Sequence, residues 1–308
     1  VPVTTPSKRN SRETITKKED NNYMTASRIA LVYFSATDVT HTYAQVIREE
    51  LINRGCDVQL FNVTAYASRQ KELPIDDFDG LIFGFPVFAD FAPSVINAWL
   101  PALNGRGKKC AQFFTYGART TGYAHFHTKL LLEQAGFRVL FSAEFLGRHS
   151  FNVGGWRILP ERPDAEDCAV ARDYAVLALE RFSQEAPVVF RLQKPFGYNQ
   201  IMASLENKQK KTERSWTNPV RVAEECSMCR NCEIECPAQA FDADTGLSDP
   251  GSCIECMHCV YSCPDKVLKI DEHMKGIYDS FLADWHLTEE MMAAKKSRII
   301  TAAWQAAF

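Results

Sequence analysis

Residues 29–34 (IALVYF) form an unbroken apolar run of the length that a strand buried on both faces requires. A helical period follows over 40–54, where Ala44, Ile47 and Leu51 share one stripe and Gly55 closes it. The alternation then repeats. Residues 58–63, 80–85, 111–115 and 139–145 read as further strands, and 93–103, 123–135 and 163–182 as helices. Pro163 stands in the first turn of the last helix, where its missing N–H costs nothing. Strands interleaved with helices predict an α/β domain with a doubly wound, five-stranded parallel sheet covered on both faces. Right-handed crossovers then leave few possible topologies.

The pattern fades on either side. Residues 1–27 are polar and mixed in charge without a period, and are expected to be a disordered extension. A linker is expected over 185–220, punctuated by Pro187, Pro195, Gly197 and Pro219. It carries a charged patch of Lys208, Lys210, Lys211, Glu213 and Arg214, read as a solvated helix face. Residues 221–272 are rich in cysteine. Residues 273–308, with Trp285, His286 and the apolar series Met291, Ile299, Ile300 and Trp304, read as a C-terminal helical tail, either packed across the two domains or serving as a partner-binding helix.

Composition narrows the function classes. Of 308 residues 46% are hydrophobic, enough for a sizeable core, and the net charge of −3 gives no footing for nucleic acid. No apolar run reaches the length of a membrane span. Eight of the 11 cysteines fall in two runs. The first is Cys226, Cys229, Cys232 and Cys236 followed by Pro237, and the second is Cys253, Cys256, Cys259 and Cys263 followed by Pro264. Each is C-x2-C-x2-C-x3-C-P, the spacing that holds two [4Fe–4S] cubanes when the fourth cysteine of each run crosses to the other cluster. The expected quartets are therefore Cys226, Cys229, Cys232 and Cys263, and Cys253, Cys256, Cys259 and Cys236. Structural zinc prefers two C-x2-C pairs or Cys/His mixtures. Disulfides need an oxidising compartment, for which no apolar signal segment prepares the chain. Cys56, Cys110 and Cys168 stand apart and read as small core residues. Clusters with free thiols point to a reducing cytoplasm, and the fragility of clusters to an anaerobe. The segment resembles a bacterial-type two-cluster ferredoxin.

In a doubly wound sheet, ligands bind beyond the carboxyl ends of the strands. After the first strand come Ser35, Thr37 and Thr40, three hydroxyls at a helix N-terminus that can cradle a phosphate. Taken alone, the loop fits an ordinary N-capped helix equally well. After the third strand comes GFPVF (84–88), and after the fourth TYGAR (115–119). Together the three loops resemble the flavodoxin pattern over 28–184, in which the hydroxyl loop holds the phosphate of FMN and the other two enclose its ring. That resemblance implies FMN contacts from Ser35, Thr37, Asp38, Val39 and Thr40 at the phosphate. At the ring it implies contacts from Pro86, Val87, Phe88, Thr115, Tyr116, Gly117 and Arg119, the last either neutralising reduced flavin or facing solvent. Asp38 departs from the pattern, which usually has Gly there; Asp tolerates unusual backbone angles, and its carboxylate must face solvent to spare the phosphate. A longer loop at 149–159 carrying Trp156 also departs from it. His125 and His127 alternate on a helix and are expected at the surface or behind the site. His41 reads as an ordinary helix residue.

The two halves together resemble the flavodoxin–ferredoxin fusion proteins. The resemblance implies a flavodoxin-like sheet, a small two-[4Fe–4S] ferredoxin-like domain and a C-terminal helix. It also implies FMN and two cubanes as cofactors, and a redox partner protein for low-potential electrons. The alternative is a flavin-dependent reductase of a small organic substrate, fed by the clusters, with the loop 85–91 and Trp156 as walls. The chain has neither G-x-G-x-x-G nor G-x-x-x-x-G-K-[ST], so nothing in it supports direct use of a nicotinamide nucleotide or of ATP.

Overall fold

The computed structural model describes Val1 and residues 27–186, 189–207, 217–270 and 274–301. The expected extension and the charged patch of the expected linker lie almost wholly outside the described residues, as does Trp304.

Strands β1 (Arg28–Tyr33), β2 (Asp57–Asn62), β3 (Gly80–Pro86), β4 (Lys109–Tyr116) and β5 (Arg138–Leu146) alternate with helices α1 (Val39–Asn53), α2 (Ser94–Trp99), α3 (Ala124–Gln134) and α4 (Ala165–Ser183). The strands pair in parallel in the order β5-β4-β3-β1-β2, the doubly wound order of flavodoxin-like sheets. The apolar runs explain the layering. β3 is buried along almost its whole length, because helices cover both faces. α1 buries Tyr43, Ala44, Ile47 and Leu51 against one face, with α4 beside it. The helix expected over 93–103 is shorter: α2 gives way to a 3₁₀ turn at Leu100–Ala102, where Pro101 cannot continue the hydrogen-bond ladder.

Past α4 lie α5 (Tyr198–Glu206), then β6 (Val220–Arg221), α6 (Asn231–Ile234), β7 (Phe241–Asp242), β8 (Leu247–Ser248), α7 (His258–Ser262) and β9 (Leu268–Lys269). β6 to β9 form a small antiparallel sheet of two-residue strands. The duplication in the cysteine spacing is also a duplication of backbone. Met228, Arg230 and Gln239 have positive φ, and so do Glu255, Met257 and Lys266, each exactly the same 27 residues further on as the corresponding cysteines.

The tail corrects the sequence expectation twice. It is not one helix but α8 (Met274–Asp284), α9 (Glu289–Ala293) and a strand, β10 (Arg298–Ile300). β10 pairs antiparallel with β5, so the main sheet has six strands rather than five. Three side-chain hydrogen bonds hold it there. Ser297 Oγ accepts from the Leu146 N–H (2.9 Å) and donates to Asp167 (2.6 Å), while Arg298 Nε donates to buried Glu144 (2.7 Å). Asp167 also completes the capping box of α4. The run Arg298–Ile300 is too short for its period to tell strand from helix.

Candidate functional site: a cleft between the sheet and two cysteine quartets

A cleft of about 320 Å³ opens at the carboxyl ends of β1, β3, β4 and β5. One end is lined by hydroxyls. Ser35 and Thr37 reach it from the loop before α1, Thr40 from the first turn of α1, and Thr115 from β4. The hydroxyls brace one another: Thr40 Oγ1 and Thr115 Oγ1 lie 2.8 Å apart, the His41 N–H donates to Ser35 Oγ (3.1 Å), and the Ser35 N–H donates to Thr64 Oγ1 (2.8 Å). The first turn of α1 holds no acidic residue. Its N–H groups and helix dipole therefore favour an anion. The other end is apolar and aromatic, with Val87, Phe88, Tyr116 and Phe151. Gly117 lets this wall close, since a Cβ there would lie 2.7 Å from the His149 ring.

Of the expected flavin contacts, Ser35, Thr37, Val39, Thr40, Pro86, Val87, Phe88, Thr115, Tyr116 and Gly117 line this cleft. Two do not. Asp38 sits at the loop with φ 71°, which explains an Asp where glycine is usual, but its carboxylate pairs with His41 Nδ1 at 2.8 Å and is half exposed. Arg119 pairs with Asp90 and lies over the Trp285 ring, 4.1 Å from its centroid, outside the cleft. His125 and His127 are buried, not at the surface: His125 bonds Ser142 (2.6 Å), and His127 bonds Tyr198 (2.7 Å). Burial pushes both imidazoles below the ordinary histidine range. His41 has a local role, tying Asp38 to Gln45.

The structure adds residues that the sequence reading passed over. Arg148, just past β5, lines the hydroxyl end and donates to the Thr37 carbonyl (3.1 Å). His149 lines the aromatic end. The Phe151 N–H donates to its Nδ1 (3.1 Å), which leaves Nε2 as the protonated nitrogen. Burial, then the charge of Arg119, pushes this imidazole down to about 4, so it is neutral near pH 7. The rule that places ligands at strand ends would have flagged the residues after β5, had the loop been read for polar groups and not only for Trp156.

The cysteines meet as two quartets. Cys226, Cys229, Cys232 and Cys263 surround one small cavity, and Cys236, Cys253, Cys256 and Cys259 another. These are the sets that the crossed-ligand spacing predicts. Among the described residues no three His, Cys, Asp or Glu side chains converge on one ion. A zinc ion with bonds of about 2.3 Å to sulfur would need that convergence. Thiolates spread around a cavity suit a cubane instead. Burial pushes the Cys256 thiol up to about 12 and the Cys232 thiol up to about 11, so these sulfurs become thiolates only against the charge of bound iron. Backbone N–H groups point at sulfur, from Ala240 to Cys236 (3.3 Å) and from Glu255 to Cys253 (3.4 Å).

The second quartet adjoins the cleft. Ile254 and Glu255, between Cys253 and Cys256, form part of the cleft wall. His258 Nδ1 donates to the Ala36 carbonyl (2.8 Å), and Arg69 donates to the Pro237 carbonyl. Arg148 reaches Tyr261 Oη at 3.5 Å. The first quartet lies toward solvent, with Cys229 exposed.

Residues 218–274 match the family described as a 4Fe-4S dicluster domain. Among curated proteins none matches this chain. Solved structures similar to the first half include a flavodoxin from the domain Archaea, at 17% identity and TM-score 0.38, covering 51% of this chain and 99% of that one. A flavodoxin of Streptococcus pneumoniae TIGR4 is similar at 15% identity and TM-score 0.38, covering 50% and 99%. Rubredoxin oxygen:oxidoreductase from the anaerobe Desulfovibrio gigas is similar at 16% identity and TM-score 0.38; the match covers 50% of this chain and only 36% of that one. The fold assignment itself rests on the strand order. The chain thus joins a sheet of flavodoxin-like strand order to a segment that matches a 4Fe–4S dicluster domain.

Proposed function

We propose that the chain is an electron-transfer iron–sulfur flavoprotein. FMN occupies the cleft, one cubane sits on each quartet, and low-potential electrons pass to or from a partner redox protein. The observation that carries this reading is the shared wall: the residues between Cys253 and Cys256 face the same cleft as the hydroxyl cradle and Tyr116. The fit to FMN follows from the lining. Ser35, Thr37, Thr40 and the first turn of α1 bind the phosphate, Arg148 offers a cation beside it, and Val87, Phe88 and Tyr116 offer flat apolar surface to the ring. When bound, the flavin supplies a centre that exchanges one or two electrons, while each cubane exchanges one.

The chain's residues keep this arrangement fixed. His258 and Arg148 clamp the phosphate loop from the dicluster side and from the end of β5. His149 stays neutral and presents Nε2–H. The solvent-facing first quartet is the exchange point for the partner, since the second is covered by the sheet domain. The four-cysteine sites and isolated thiols suit a reducing compartment, the cytoplasm. No helix among the described residues is long and apolar enough to cross a membrane.

Oxygen-free reconstitution with iron, sulfide and FMN tests the proposal. The expected content is about eight irons and about one flavin per chain, from two cubanes of four irons each. Zinc in place of iron, or refusal of FMN, overturns it. Reoxidation of the reduced protein by candidate redox proteins but not by water-soluble small oxidants without a seat in the protein is the expected kinetic signature.

A further inference from the structure

A second cavity, about 420 Å³, adjoins the aromatic end of the cleft and shares Val87, Tyr116, Gly117 and His149 with it. Its far side is built by elements outside the five-stranded sheet. Ile277, Ser280 and Phe281 of α8 and Trp285 close it from the tail, and Trp156 closes it from the loop after β5. The aromatic walls are fixed by one another, with Trp156 packed on Phe281 at 4.9 Å and on Tyr278 at 5.6 Å between ring centroids. Trp285 is held by the Arg119 guanidinium 4.1 Å above its ring, and Arg119 in turn by Lys295, which donates to its carbonyl (2.7 Å).

Charge and shape select the occupant. The one cation among the lining residues, Arg119, is already paired with Asp90, and Asp284 adds a carboxylate. A phosphate-bearing dinucleotide would meet carboxylates without an uncommitted cation. Flat aromatic walls around a volume within the usual range for small ligands favour a planar, uncharged molecule of one or two rings.

We infer that this cavity binds a small quinone-like acceptor against the flavin, an inference that rests on the flavin reading of the adjoining cleft. A quinone seated there is reduced to the hydroquinone. Bound reduced flavin would supply two electrons and one hydrogen as hydride, and the reduced flavin or water would supply the other hydrogen as a proton, which together complete the hydroquinone. Re-reduction of the site would take two single electrons through the cubanes from a one-electron donor protein, with the hydrogens replaced as protons from water. The tail, which the carrier function does not require, thereby forms the substrate wall.

Isothermal titration of menadione into the oxidised, reconstituted full chain tests this, with flavin and iron counted separately. The expected result is one saturable site. Ser280→Trp, which fills the cavity from an exposed position on α8, weakens binding roughly tenfold or more with flavin and iron content unchanged. Trp285→Ala, at a half-exposed side chain, removes one wall and weakens it as well. NADPH gives no saturable heat. Absence of menadione binding to flavin-loaded protein, binding indifferent to both substitutions, or binding of NADPH in its place overturns the inference. A chain that takes up iron but no FMN defeats the flavin reading instead. Menadione binding to that chain, weakened by Ser280→Trp, still supports the cavity, and its absence overturns the cavity too.

Discussion

The sheet domain and the cysteine segment are held together by different means. The sheet buries large side chains in two layers, with Phe83, Phe85 and Phe114 on one face and Tyr43, Phe113, Phe145 and Tyr174 on the other. Each fully buried side chain of that kind contributes about 1.5–3 kcal/mol. The cysteine segment has strands of two residues and a thin apolar lining of Phe241, Val260, Val267, Leu268 and Ile270 around its sulfurs. It has too little core to fold without metal. On the proposed reading the contrast teaches where each cofactor acts: the flavin would be a guest of a finished fold, whereas iron and sulfide would be structural members of theirs. The cleft lies between the two and draws its walls from both.

The contrast breaks most visibly at the clusters. Cys256→Ser is expected to remove one cubane, about half of the iron, and to open the small antiparallel sheet to protease, while residues 28–183 stay folded. Unchanged iron, or unfolding of the whole chain, would show the division drawn here to be wrong. Iron counts and limited proteolysis of the same preparation read both outcomes.

At the shared wall the effect is smaller. Thr37→Ala removes a hydroxyl from the phosphate cradle, and Arg148→Ala removes a cation together with its bond to the Thr37 carbonyl. Each should weaken FMN by about 1.5–3 kcal/mol, the range for hydrogen bonds to a charged group. Loss for Thr37→Ala with none for Arg148→Ala would confine the phosphate site to the sheet side. Flavin fluorescence titration measures both.

His149 sharpens the comparison through pH. Its folded-state value, about 4, lies below the ordinary 6.5. Between these values the unfolded chain takes up a proton that the folded chain refuses. Stability attributable to His149 is therefore complete above about pH 6.5 and falls as pH drops toward 4. Thermal midpoints of wild type and His149→Gln should differ in slope across that window and run parallel above it. Equal slopes would mean that the imidazole is not held neutral.

Asp38→Gly should change least. Glycine relieves a left-handed backbone at φ 71°, but removes a half-exposed contact to His41 that is worth about 0–1 kcal/mol. FMN affinity equal to or tighter than wild type is expected. A clear loss would assign the carboxylate a direct role at the phosphate.

The legible parts of the sequence were those with a strong local code. Buried apolar runs marked β1, β3, β4 and β5, because strands covered on both faces leave little room for polar residues, whereas β2, at the sheet edge with only Val58 buried, was read from its place in the alternation. Cysteine spacing predicted the quartets, because ligand geometry is tied to chain separation. β10 was hidden, since its pairing with β5 depends on Ser297, Arg298 and the distant Glu144, and not on any period of its own. Arg119 was drawn to the flavin by position in the loop; Asp90 and Trp285, remote in sequence, hold it elsewhere. Ile254 and Glu255 went unread because the cleft is composite, and a composite wall is visible only once both parts are in place, whereas Arg148 follows β5 and was open to the strand-end rule.

The most direct test of a flavin held against the second quartet is electron paramagnetic resonance of the flavin radical, before and after one-electron reduction of the neighbouring cluster. Adjacency predicts that the radical relaxes faster and broadens when that cluster is reduced, and that the effect disappears in Cys256→Ser. A radical whose relaxation is indifferent to the redox state of both clusters would contradict the account.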